Sequence, residues 1–289
     1  MSTIAAPVTP APMLGGLAVR RTKDIVNPQT RLCCLTYAPP KTGKTQMCAT
    51  FHNWCMEEYG KPGLYIAFES ADGGGVSTVQ EYDIPFVQPT DLKSAEAVFR
   101  ALLTDQTYAA VFVDNLTDMV KNIVQPYALS FPSREHIPTR ASGVPERSDY
   151  QTMGEKTRTL INMMIALTKT PDPKFRKHLI VNALRTEKRD SNNNLEYIGP
   201  DLPGALRETG SAPFELVAAI EIKTRVVADP VDATKKVRQR FYTFVTQSDG
   251  VKIAGDRYKV FPIDGPADWQ VLMNDYWKPK VLAQQTSKE

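Results

Sequence analysis

Ala38-Pro39-Pro40-Lys41-Thr42-Gly43-Lys44-Thr45 follows the pattern G-x-x-x-x-G-K-[ST] everywhere but at its first position, where alanine stands for glycine. The stretch follows the apolar run CCLTY and leads directly into KTQMCATFHNWCMEE, which is compatible with a helix. A strand that turns sharply into a helix leaves several backbone N–H groups without partners at the positive end of the helix dipole. Such a turn cradles polyphosphate oxygens. In that setting Lys44 reaches the β- and γ-phosphates and the Thr45 hydroxyl ligates Mg²⁺. Gly43 falls where backbone must crowd the phosphate, and Ala38 fits the first position as long as its φ stays negative. A nucleotide-binding loop of Ala38, Pro39, Pro40, Lys41, Thr42, Gly43, Lys44, Thr45 and Gln46 is therefore expected, with ATP and Mg²⁺ as its ligands.

Two carboxylates fall at the ends of other apolar runs. YAAVFVD ends in Asp114, 70 residues after Lys44, where an acid can hold the Mg²⁺ shell; a helix N-cap is the alternative use of such a residue. LYIAFES carries Glu69, placed to polarise an attacking water, or else to serve as a solvated strand-end acid or the partner of a lysine. Ligands of open α/β sheets collect at the carboxyl ends of the strands, so all three features converge on one edge.

The elements that must position these residues alternate along the chain. RLCCLTYA, GLYIAFE, YAAVFVD and HLIVNAL read as strands; Gly43 to about Glu58, DLKSAEAVFRALLTD and YQTMGEKTRTLINMMIALTK read as helices. This alternation predicts an α/β fold with a mostly parallel sheet and helices on both faces. Toward the C-terminus FELVAAIEIK, RFYTFVTQ and VKIAGDRYKVF turn antiparallel, the last two joined as a hairpin through Ser248-Asp249-Gly250. RTEKRDSNNNLEYIGPDLPGALRETGSAP is expected to be a long loop. Residues 1–25 have the composition of a flexible arm, and residues 266–289 that of a short helix with a frayed tail, LAQQTSKE.

The 289 residues are 42% hydrophobic, enough for a large core, and a formal net charge of +3 does not by itself require a polyanionic partner. Cys33, Cys34, Cys48 and Cys55 lie within 23 residues but form no C-x-x-C pair, which favours buried reduced thiols over a metal site. Neither a signal peptide nor a run long enough to span a membrane is evident, so a cytoplasmic protein is expected.

Taken together, APPKTGKT, IAFES and VFVDNLT resemble the RecA-like branch of P-loop ATPases, in particular the phage-encoded nucleotide-binding proteins of single-strand annealing and recombination. The resemblance covers about residues 26–265 and implies a RecA-like ATPase domain with Lys44, Thr45, Asp114 and Glu69 as its machinery. HLIVNALR resembles the strand whose polar end senses the γ-phosphate, with Asn182 the nearest amide, because Ala183 stands where relatives carry glutamine. VKIAGDRYKVFP resembles the segment that reaches a neighbouring subunit's nucleotide, which makes Arg257 the first candidate for a trans finger and Lys252 the second; a cross-strand ion pair is the other use of Arg257.

The same resemblance implies DNA-binding loops at about 131–149 and 185–212. Between Lys169 and Asp190 seven Lys/Arg face three acids, against five and four between Arg134 and Arg158, so the second loop is favoured. Arg185, Lys188 and Arg189 would contact phosphates and Tyr197 would stack on bases. The implied function is an Mg²⁺-dependent ATPase that binds single-stranded DNA as a homo-oligomer, ring or filament. It would act in phage recombination, annealing or replication in the host cytoplasm, with a single-strand-binding or replication protein as a further partner. A hexameric helicase or helicase-loading motor, and an ATP-gated DNA-binding protein with little turnover, are the alternatives.

Overall fold

The computed structural model describes residues 13–14, 17–18, 31–69, 74–132, 143–228 and 236–286. The chain divides into two units, Met1–Thr30 and Arg31–Glu289. Within the first, β1 (Met13–Leu14) pairs antiparallel with β2 (Leu17–Ala18).

The second unit is built on β3 (Cys33–Ala38), α1 (Lys44–Tyr59), β4 (Gly63–Ala67), α2 (Gly74–Ser77), β5 (Phe86–Val87), α3 (Leu92–Leu102) and β6 (Ala110–Asp114). Next come α4 (Leu116–Met119), α5 (Gln125–Leu129), α6 (Arg147–Lys169), β7 (His178–Arg189), β8 (Leu195–Pro200) and α7 (Leu206–Thr209). The last elements are β9 (Leu216–Ala228), β10 (Lys236–Val245), β11 (Gly255–Asp256), β12 (Asp264–Pro266), α8 (Trp269–Leu272) and α9 (Lys278–Thr286). The sheet runs β12-β10-β9-β3-β7-β6-β4-β5, parallel from β9 to β5 and antiparallel at β9-β10-β12. This is the expected mostly parallel, helix-flanked α/β architecture, with its antiparallel strands near the C-terminus.

The central strands form because every residue of β3, β4 and β6 is buried, which demands the continuous apolar runs seen in the sequence. Alternate side chains then feed two cores. One face buries Leu35, Tyr37, Ile66, Val111 and Val113 under α3 and α6; the other buries Cys34, Tyr65, Phe112 and Ile180 under α1 and the C-terminal segment. Trp269, Leu272, Met273 and Trp277 belong to that second core. Caps fix the helix ends: Asp91 accepts from Ser94 N at 2.7 Å, and Gly60 closes α1 at φ 63° with its N–H on Met56 O.

The structure corrects three expectations. Ser248-Asp249-Gly250 does not join two paired strands: β10 pairs with β9 and β12, and residues 251–261 contribute only β11. The reason is Asp256, whose carboxylate accepts from the N–H groups of Tyr258, Val260 and Phe261 at 2.7–2.8 Å, so a side chain takes the donors that a strand would have used. The long loop after Leu184 contains a hairpin: β7 continues to Arg189 and pairs with β8, turning through Asp190 and Asn193 at φ 66°. Its outer half is largely exposed, with Leu195 half-buried against the core, so little apolar alternation marks it. The tail LAQQT continues α9 as far as Thr286. The expected first DNA loop falls in part on residues 133–142, outside the described residues.

Candidate nucleotide site

β3 ends in Ala38 and α1 begins at Lys44, and the five residues between them form a tight loop. Two carry positive φ, Lys41 at 61° and Gly43 at 82°, and Gly43 is the N-cap of α1 without a side-chain cap. The first helical bond inside α1 is Met47 N to Gly43 O at 2.9 Å. The amides of Lys44, Thr45 and Gln46 therefore face out of the helix end as free donors. Ala38 has strand backbone and a fully buried side chain, so alanine satisfies a position at which no left-handed conformation is required. Lys41, in contrast, takes the left-handed turn, which nothing in the motif foretold.

Lys44 is 7% exposed and donates from Nζ to Ala38 O at 3.1 Å and Pro39 O at 2.8 Å. Burial lowers its pKa, opposed by the charges of Asp114, Glu69 and Asp118. The Thr45 hydroxyl donates to Asp114 Oδ2 at 2.7 Å, and the Tyr65 hydroxyl donates to the same oxygen. β4 and β6 pair in parallel with Ala67 opposite Asp114, which sets Glu69 just past the strand end beside Asp114. Burial raises the Glu69 pKa, the Asp114 charge adds to it, and the Gly75 N–H, donating to Oε2 at 2.7 Å, opposes both.

Pro40–Gln46, Glu69, Gly75, Asp114 and Asp118, with Leu184 and Tyr242, line one cavity of about 650 Å³. That volume lies within the range of small-ligand sites. The residues fit a nucleotide with its metal: free amides and a lysine meet phosphate, while a hydroxyl and a carboxylate within hydrogen-bond distance offer the hard oxygens that Mg²⁺ takes beside phosphate.

Other expected site residues lie elsewhere. Asn182 is buried opposite Thr36 in the β3–β7 register, accepting from the Thr36 hydroxyl at 2.5 Å and donating to Cys48 Sγ at 3.4 Å. Arg257 donates to Ala212 O at 2.9 Å and stands 3.7 Å from Glu215, with 59% of its side chain exposed. Lys252 is only 12% exposed and pairs with Glu221 at 2.6 Å. On the β7–β8 hairpin Arg185 and Arg189 pair with Glu187, Lys188 pairs with Glu196, and the Tyr197 hydroxyl donates to Arg207 O at 2.7 Å. Sequence reasoning missed Tyr65, Tyr242 and Leu184; for Tyr65 the available signal was a polar-tipped ring two residues before the strand end.

A strand, a loop with left-handed turns, a helix with free N-terminal amides, and a Lys-Thr pair facing a strand-end aspartate define a P-loop ATPase site at the edge of a mostly parallel α/β sheet. The chain belongs to the AAA domain family, whose model matches residues 30–258. Among solved structures it is similar to the flagellar accessory protein FlaH from Methanocaldococcus jannaschii, at 8% identity and a TM-score of 0.34, over 77% of this chain and 81% of that one. It is also similar to the KaiC-like protein PH0186 from Pyrococcus horikoshii OT3, at 13% identity and a TM-score of 0.35, over 75% and 86%. No curated protein matches it in sequence. No helix among the described residues is long and apolar enough to cross a membrane.

Proposed function

We propose that the protein is an Mg²⁺-dependent ATP hydrolase that works as a homo-oligomer on single-stranded DNA, in phage-type recombination, annealing or replication. The observation that carries the hydrolase is the convergence of Lys44, Thr45, Glu69 and Asp114 on one cavity. Bound ATP and Mg²⁺ would supply the phosphoryl group and its charge neutralisation. Lys44, released from the carbonyls of Ala38 and Pro39, holds the terminal phosphates; Thr45 and Asp114 hold the metal shell; Glu69, its proton affinity raised by burial, orients water and accepts its proton. The exposed guanidinium of Arg257 is available to a second copy, which would make turnover depend on assembly, whereas Lys252 is held by Glu221. Asn182 touches Thr36 and α1, so it would respond to the nucleotide through β3.

Hydrolysis measured without DNA, with single strands and with duplex tests the proposal. Stimulation by single strands is expected, and Lys44→Ala should lower the rate by at least about 100-fold. Turnover surviving that substitution would sink the hydrolase assignment. A nucleotide-gated binder with little turnover is the second reading, favoured by the Gly75 N–H that occupies a Glu69 oxygen; binding of ATP without hydrolysis under all three conditions would select it.

A further inference from the structure

β3 pairs with β9 only as far as Ala219, and β12 pairs with β10 only at Thr243–Val245. β9 and β10 stay paired with each other out to Ala228 and Lys236. They therefore leave the sheet as a two-stranded ribbon. Because side chains alternate along a strand, one ribbon face carries Ile222, Thr224 and Val226 opposite Tyr242, Arg240 and Arg238, with Lys236 beyond. All seven are exposed. The arms 222–228 and 236–242 contain five Lys/Arg and no Asp/Glu, in a chain whose whole net charge is +3.

The two cations of the opposite face have partners: Lys223 pairs with Asp264, and Arg225 donates to Gln239 at 3.1 Å and lies over the Phe241 ring. Lys236, Arg238 and Arg240 meet no carboxylate among the described residues. Their spacing of two residues sets neighbours about 6.8 Å apart in a row, flanked by the exposed apolar Ile222, Val226 and Tyr242. A cationic row without carboxylate partners among the described residues, beside aromatic and apolar side chains, is the chemistry of a single-strand platform: charge on phosphates, flat surface under bases. The β7–β8 hairpin lacks it, since Arg185, Lys188 and Arg189 are already paired with Glu187 and Glu196.

We propose that this face of the β9–β10 ribbon is the main seat of single-stranded DNA, with Lys236, Arg238 and Arg240 on successive phosphates and Tyr242, Ile222 and Val226 against the bases. The proposal rests on the single-strand reading above and names its surface. Tyr242 also lines the nucleotide cavity, so the strand and ATP meet at one side chain, and each is expected to alter the other's affinity by the same factor.

The test uses the full chain, a fluorescent oligo(dT) and anisotropy over a range of salt concentrations. Lys236→Ala/Arg238→Ala/Arg240→Ala should weaken binding by at least about tenfold and flatten the log–log salt slope by about 2. Arg240→Gln alone should flatten it by about 0.7. Hydrolysis without DNA and the melting temperature should match wild type. If the ribbon variants bind as wild type while Lys188→Ala/Arg189→Ala loses binding, the ribbon proposal is overturned and the single-strand reading stands. Wild type failing to bind the oligomer overturns both. A changed oligomeric mass with unchanged DNA affinity makes the ribbon a contact between copies and overturns the proposal.

Discussion

Lys44, Thr45, Gly43 and Asp114 were legible in the sequence because each depends on local order: a loop fixed by its two flanking elements, and an acid fixed by the end of its own strand. Tyr65 was not, because its role depends on register. Only the parallel pairing of β4 with β6 brings its hydroxyl to Asp114 Oδ2, the oxygen that Thr45 also meets. Two hydroxyls donating to that one oxygen hold the carboxylate in one orientation. Tyr65→Phe keeps the ring in the core and removes only the hydroxyl. The Mg²⁺ concentration needed for half-maximal hydrolysis should rise several-fold, and the affinity for Mg²⁺-nucleotide, read directly by calorimetry, should fall in step. Stability should change by only about 1 kcal/mol. An unchanged Mg²⁺ requirement would show that Thr45 alone orients Asp114.

At the scale of elements, the buried strands and the long amphipathic helices could be read, since each must present an apolar pattern to a core. The outer parts of the β7–β8 hairpin and the β9–β10 ribbon could not, because few of their side chains are buried and the apolar pattern fades. Charge counting along the chain misled for a related reason: Lys177, one of the seven cations between Lys169 and Asp190, is 1% exposed and serves an element boundary. Its Nζ donates to Leu102 O at the end of α3 at 2.8 Å, to Asp105 O at 2.6 Å and to Phe175 O at 3.1 Å. Burial lowers its pKa, with the Asp105 charge opposing. One ammonium thus closes α3 and ties it to the start of β7. Lys177→Met fills similar volume but leaves three carbonyls without that donor, and should destabilise the fold by about 2 kcal/mol in urea unfolding. A loss below about 0.5 kcal/mol would mean that solvent replaces the ammonium and that α3 is closed by other bonds.

At the scale of the whole molecule, the sheet with helices on both faces has two cores, and the second is closed by a C-terminal segment that looked peripheral in the sequence. Trp269 donates its backbone N–H to the Thr50 hydroxyl at 3.0 Å, Trp54 donates to Asn274 at 3.1 Å, and Lys278 pairs with Glu58 at 2.5 Å. In the middle of that core sits His178, ringed by Phe51, Trp54, Tyr59 and Trp277 at 5.4–6.4 Å. The Leu32 N–H donates to Nδ1 at 2.9 Å, so the neutral ring keeps its proton on Nε2 and offers it to the Tyr59 oxygen at 3.0 Å. Burial, reinforced by the positive charge of Arg31, holds the His178 pKa well below the usual range, and burial lowers that of His52 as well. In the unfolded chain both imidazoles return to about 6.5. The stability they support is therefore complete above that pH and is lost as pH falls below it, because the unfolded state then takes up protons that the folded state refuses. Between about pH 8 and pH 5.5, His178 alone should remove about 1.4 kcal/mol from the unfolding free energy, with a smaller loss from His52. Urea unfolding across that window, paired with NMR of the imidazole at each pH, checks both halves of the linkage. A flat stability profile, or a His178 ring that protonates in the folded protein near pH 6.5, would show that the second core admits charge and that the C-terminal segment does not seal it.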